Sequence, residues 1–130
     1  MRGKATERKR LLIVDDEAMI LSTLARALKR HYDVTTLSSP EEALEHLASG
    51  ESWDVVLSDV MMPEMNGVEF ASRAVAARPE LAGHIALMTG GVASPRARAA
   101  LHGCALPVIE KPFDPAALRE LLAKLASDGA

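Results

Sequence analysis

The sequence predicts one α/β domain, a doubly wound parallel sheet of five strands with helices on both faces. Three observations predict it. From residue 11 onward, short apolar runs alternate five times with helical patterns, as a parallel sheet and its crossovers require. The runs Leu11-Leu12-Ile13-Val14 and Val55-Val56-Leu57 are continuously apolar, which fits strands buried on both faces. Each of these runs ends in acid, Asp15-Asp16 in one case and Asp59 in the other.

Strands are expected near 11–15, 33–37, 54–58, 84–88 and 107–110. The first, third and fourth are the most apolar and should be central. The second carries Asp33, Thr35 and Thr36, and the fifth opens on Pro107, which cannot donate a ladder hydrogen bond, so both suit edges. Burial alone therefore supports the strand order 2-1-3-4-5. Helix starts are marked by Ser39-Pro40, Ser94-Pro95 and Asp114-Pro115, each a capping side chain before a proline at the first helical position. Ser39 and Glu42 form a capping box. The first helix, near 17–30, lines up Ile20, Leu21, Leu24 and Leu28, and the last does so with Leu118, Leu121, Leu122 and Leu125. Gly50 and Pro79 stop the second and third. The fourth, near 95–102, has Leu101 as its single large apolar residue, so weak anchoring and mobility are expected of it.

At 130 residues with 48% apolar composition, the chain fits one core, read as residues 10–127 between a basic tail at 1–9 and a short tail at 128–130. Cys104 is the single cysteine, which excludes an internal disulfide and suits a reducing compartment. No apolar run approaches membrane-spanning length and the start lacks an apolar signal segment, so a cytoplasmic protein without membrane insertion is expected. The first ten residues carry +4 and the remaining 120 carry −7. Without aromatic residues to stack on bases or any periodicity, the basic stretch reads as a solvated linker, and no direct nucleic-acid binding is expected.

In an open parallel sheet, ligands gather beyond the carboxyl ends of the strands, near the point where strand order reverses. Asp15, Asp16, Asp59, Thr89, Gly90 and Lys111 all fall there. Two unit charges ~4 Å apart repel by about 4 kcal/mol at an effective dielectric of ~20, so converging carboxylates need protons or a cation. Oxygen ligands with no paired His or Cys suit a hard ion such as Mg²⁺. One carboxylate oxygen would remain as a nucleophile, with Lys111 and the Thr89 hydroxyl facing an anionic group on it, which is what phosphoryl transfer needs.

Val14-Asp15-Asp16, Asp59 followed by Met62-Pro63-Glu64-Met65-Asn66-Gly67, Thr89-Gly90 and Lys111-Pro112-Phe113 occur in order on the expected strand ends. On these residues the chain resembles a response-regulator receiver domain, the phosphoacceptor module of two-component signalling, across residues 10–127. The resemblance implies a flavodoxin-like three-layer (βα)5 fold. It assigns Asp59 as acceptor of a phosphoryl group from a phosphohistidine on a histidine kinase or histidine phosphotransfer protein. It implies that Asp16, Asp59 and the Met61 carbonyl bind Mg²⁺, that Asp15 acts largely through a water, and that Thr89, the Gly90 amide and Lys111 hold phosphoryl oxygens. A cis Lys111-Pro112 bond, an unnamed downstream target and a homodimer complete what it admits.

The chain departs from that pattern at Val108, where many receivers carry an aromatic residue, so switching by ring burial is not expected. Asn66 stands where Asp is common, harmless if it only caps the third helix. Met61 and Gly91, two residues after the acceptor and the threonine, offer no hydrogen bond to an attacking water, which predicts slow hydrolysis. The plainer readings are a helix cap for Asp16, an edge charge for Lys111 and a strand-terminal hydroxyl for Thr89. Met61, Met62 and Met65 are expected to pack, the four histidines to be surface or boundary residues, and Cys104 to be a small buried residue. With no output module after residue 127, a single-domain regulator or a receiver from a hybrid histidine kinase is expected, the latter suggested by the Val108–Asp114 ending. Two competitors are an Asp-nucleophile phosphatase resembling haloacid-dehalogenase-type hydrolases, which carry an acid where this chain has Met61, and a scaffold that accepts no phosphate.

Overall fold

A computed structural model describes residues 8–90 and 95–128. Five strands, β1 (Lys9–Val14), β2 (Tyr32–Leu37), β3 (Val55–Asp59), β4 (Ile85–Thr89) and β5 (Val108–Glu110), form one parallel sheet in the order β2-β1-β3-β4-β5. Five α-helices, α1 (Ala18–Leu28), α2 (Pro40–Ala48), α3 (Gly67–Ala77), α4 (Pro95–Leu101) and α5 (Pro115–Asp128), cover it, and a 3₁₀ turn at Pro79–Leu81 follows α3. This is the doubly wound α/β fold that the alternation predicts, with the flavodoxin-like strand order that the resemblance implies.

Successive strand residues serve two separate cores. Leu12, Val14 and Val56 pack with Ala43 and Leu47 of α2 and Phe70, Ala71 and Ala74 of α3. Leu11, Ile13, Val55 and Leu57 pack with Leu21, Leu24 and Leu28 of α1 and Leu118 and Leu122 of α5. Both faces of β1 and β3 are thus dry, and alternation would have placed polar groups in one of these cores. β5 is the exposed edge, with Val108 41% accessible, and the Pro107 carbonyl accepts from Leu87 N–H at 2.9 Å where proline can still take part.

Helix starts follow the predicted chemistry where they are described. Ser39 Oγ accepts from Glu42 N–H at 3.2 Å, Asn66 Oδ1 from Glu69 N–H at 2.8 Å, and Asp114 Oδ1 from Ala116 N–H at 3.3 Å. Ser94 lies outside the described residues. β1 begins at Lys9, one residue inside the segment expected as a tail, because Lys9 pairs with Tyr32 and Arg8 donates to the Lys29 carbonyl at 2.8 Å. In α4, Ala97 is the buried residue and Leu101 is only half-buried, so little apolar surface anchors the helix. Met62 and Met65 are buried as expected, whereas Cys104 is half-buried. Among the described residues, no helix is long and apolar enough to cross a membrane.

Candidate functional site

The sheet brings its polar residues to one rim by carrying each strand to its last apolar position and then one polar step further. Leu37 pairs with Val14, and its carbonyl accepts from Asp15 N–H at 3.2 Å, which fixes the backbone where the first acid leaves β1. Asp59 and Thr89 were expected just past their strands but are the last residues within them. Asp59 is paired with Met88 and Thr89 with Glu110, so the ladder sets their positions. Lys111 N–H then donates to the Thr89 carbonyl at 2.8 Å, which carries the lysine into the same rim. The Lys111-Pro112 bond is cis.

Lys111 Nζ faces three carboxylates. It lies 3.2 Å from Asp15 Oδ2, 3.3 Å from Asp59 Oδ1 and 3.5 Å from Glu17 Oε1. Carboxylate oxygens of Asp15, Asp16 and Asp59 fall within 4.8 Å of one another, so one cation could touch all three. Asp15 and Asp59 are buried while Asp16 is exposed at the mouth. A cleft of about 290 Å³ opens there between Asp16, Glu17, Asp59, Met61, Thr89, Gly90, Ala97 and Lys111.

The electrostatics follow from this crowding. Burial, then the Asp15 charge, pushes the Asp59 carboxyl up to about 6, against the opposing pull of Lys111. Burial also raises Asp15, although the Glu17 amide and Lys111 oppose it. For Lys111, burial favours the neutral amine, yet the charges of Asp59 and Asp15 and their hydrogen bonds outweigh it and the ammonium is retained to higher pH. A rim with three close acids and one lysine has an excess of negative charge that a hard divalent cation fits in sign and donor type. Magnesium ion is therefore compatible with Asp15, Asp16 and Asp59 as oxygen donors.

Two of the plainer readings meet the geometry directly. Asp16 is not a helix cap: the N-cap of α1 is Glu17, which makes no side-chain capping bond, and Asp15 Oδ1 accepts the Glu17 amide at 2.9 Å. Lys111 is no mere edge charge, since its side chain is only 15% exposed and turned among acids. Gly90 has room for a Cβ, whose nearest neighbour would be Lys111 Cδ at 3.8 Å, so packing within the chain does not require glycine there. Gly91 lies outside the described residues.

Two contributors carried no role in the sequence reading. Gly67 opens α3 against β3, where a Cβ would run into the Asp59 carbonyl, and its amide donates to Val60 O at 2.7 Å. Only the absence of a side chain lets the loop after Asp59 fold back so closely. Glu17 is the other, an acid directly after the Asp pair whose side chain turns back to Lys111.

The response regulator receiver domain model matches residues 11–123. The chain belongs to that family. Among relatives, protein-glutamate methylesterase/protein-glutamine glutaminase 1 of Caulobacter vibrioides is 30% identical over 120 residues, covering 91% of this chain and 35% of that protein. The response regulator receiver protein CpdR of Brucella abortus is 38% identical over 74 residues, covering 56% of this chain and 61% of that one. The alkaline phosphatase synthesis transcriptional regulatory protein PhoP of Bacillus subtilis is 45% identical over 62 residues, covering 47% of this chain and 25% of that one. The matched region thus spans between a quarter and three-fifths of these relatives. A CheY-like receiver domain structure from Methanospirillum hungatei superposes with a TM-score of 0.79 at 27% identity, covering 94% of this chain and 96% of that one. A response regulator receiver protein from Sinorhizobium medicae gives 0.79 and 27% over 95% of this chain and 98% of its own. The receiver domain is generally not itself an enzyme, and activities in such names as methylesterase belong to those proteins.

Proposed function

We propose that this receiver domain accepts a phosphoryl group on Asp59 from a phosphohistidine of a histidine kinase or histidine phosphotransfer protein. The observation that carries the reading is Asp59 Oδ1, buried at the end of β3 and 3.3 Å from Lys111 Nζ, beside the Asp15 and Asp16 carboxylates. An Asp59 oxygen attacks phosphorus, the P–N bond breaks, and the imidazole nitrogen keeps the electron pair and takes a proton from solvent. Lys111 and the Thr89 hydroxyl hold the oxygens of the transferred group, with the Gly90 amide as a further donor. Asp15, Asp16 and Asp59, with the Met61 carbonyl, would hold Mg²⁺, which when bound neutralises charge on the phosphoryl oxygens.

Adding about −1.5 to −2 charge at Asp59 draws Thr89 and Lys111 toward it. Both lie at the end of β4 and the start of the β5–α5 connection, and Ala97 of α4 walls the same cleft, so α4, β5 and α5 form the surface that changes. Ring burial at Val108 takes no part. Partners read that surface, whether the domain stands alone in the cytoplasm, forms a homodimer, or sits within a hybrid kinase. Met61 offers no side-chain hydrogen bond to an attacking water, which favours a long-lived phosphoaspartate.

Incubation with acetyl phosphate and Mg²⁺ tests this. A single added phosphoryl mass, abolished by Asp59→Asn and lasting well beyond seconds, is the expected result. Turnover of many equivalents would instead make the chain a phosphatase, and no uptake would make it a scaffold.

A further inference from the structure

Lys111 has three ammonium donors and faces three carboxylates, and the three are not alike. Asp15 is fully buried and tied by its other oxygen to the Glu17 amide at 2.9 Å, so it cannot turn away. Asp59 is buried and, in the reading above, carries the phosphoryl group. Glu17 has a side chain 62% exposed on a two-methylene stem, at an N-cap position where it makes no capping bond. Turning it into water costs little, since an exposed ion pair contributes little to stability.

We infer that Glu17 is a positioning residue that occupies Lys111 in the resting domain and is displaced by the phosphoryl group. This rests on the proposed acceptor role of Asp59. An incoming phosphoryl group brings its own negative oxygens to Lys111 and repels the Glu17 carboxylate across the same cleft. Asp15 is held in place, so Glu17 is the carboxylate that yields. The lysine is thereby kept aimed into the site before reaction without a buried group having to move, and Glu17 sets a modest barrier to loading.

The test compares wild type, Glu17→Ala and Glu17→Gln as the full chain, with phosphoramidate as donor at saturating Mg²⁺. Both variants should load about two- to fivefold faster at low salt, the range of an exposed ion pair. The gap should close near 1 M salt, where the screening length is ~3 Å. In wild type, the Glu17 carboxyl carbon resonance, assigned by its loss in Glu17→Gln, should move on phosphorylation toward that of exposed Glu41. Loading no faster than wild type at low salt, a gap that salt does not close, or an unmoved Glu17 resonance overturns the inference while leaving Asp59 as acceptor. A wild-type chain that takes up no phosphoryl group overturns both.

Discussion

The two rims of the sheet pair their acids in opposite ways. At the amino-terminal rim, Glu51 meets His46 Nδ1 at 2.7 Å and Arg10 at 3.5 Å, and its carboxyl is held below the ordinary range, first by the His46 hydrogen bond. Arg10 also donates to the Ser52 carbonyl at 2.8 Å, its amide donates to Asp54 at 2.7 Å, and its guanidinium lies 4.2 Å from the Trp53 ring centroid. At the carboxyl-terminal rim, Asp59 is pushed up to about 6, first by burial and then by Asp15. One rim distributes its charges among partners, and the other gathers acids around a single lysine. Charge is matched among partners at the first rim and left in negative excess at the second.

Removing the lysine should expose that difference most. Lys111→Met leaves Asp15 and Asp59 facing each other while buried, and losing one partner of a buried pair costs about 3 kcal/mol. Chemical denaturation without metal at pH 7.5 should show this loss, with a smaller one at pH 5, where Asp59 takes up a proton. An equal loss at both pH values would mean that packing of the lysine stem, not charge, holds the rim.

Added Mg²⁺ should act next most strongly. A ligand that binds only the folded state stabilises it by about 2.7 kcal/mol at a hundredfold excess over its dissociation constant. The thermal midpoint of wild type should rise with Mg²⁺ at pH 7.5. Most of that rise should vanish in Asp59→Asn, whereas Arg10→Met should keep it. Equal gains in Asp59→Asn and wild type would place the ion elsewhere.

Asp59→Asn should itself stabilise the metal-free domain. The carboxyl is raised from 3.8 to about 6, so the folded state binds more protons than the unfolded state between those values, and stability falls as pH rises through them. The penalty is absent below about pH 4 and complete above about pH 6, where its removal should return about 1–3 kcal/mol. Denaturation of wild type and variant at pH 4 and pH 7.5 checks it, and a variant less stable at pH 7.5 would contradict the crowding argument.

Much of this was legible in the sequence, for reasons that mark where reading stops. Leu11–Val14 and Val55–Leu57 announced central strands because burial on both faces leaves no polar alternation. The motif acids and Lys111 were legible because parallel topology sends every strand end to one rim. The strand ends were misplaced by about one residue because Asp59 and Thr89 are polar, and their strand conformation comes from pairing with β4 and β5. Gly67 stood in the motif that follows Asp59, but its role was not legible because its necessity lies in the close approach of the Asp59 carbonyl, which only the folded loop shows. Glu17 drew no reading in the sequence. Its place directly after two acids was the available signal.

The smallest effect belongs to the amino-terminal rim and should run the other way with pH. Glu51 is lowered from 4.5, so its contribution is present above that value and fades as pH falls through its lowered folded value, whereas the Asp59 penalty grows as pH rises. Glu51→Gln should therefore destabilise the domain at pH 7, by less than any change above because both partners are partly exposed, and by still less near pH 3. Loading of Asp59 should be unchanged, since the Arg10 and Trp53 contacts persist and the site lies at the far ends of the strands. A Glu51→Gln variant that loaded more slowly would show that the rims communicate through β1 and β3. Partition of charge between them would then be a coupling rather than a division of roles.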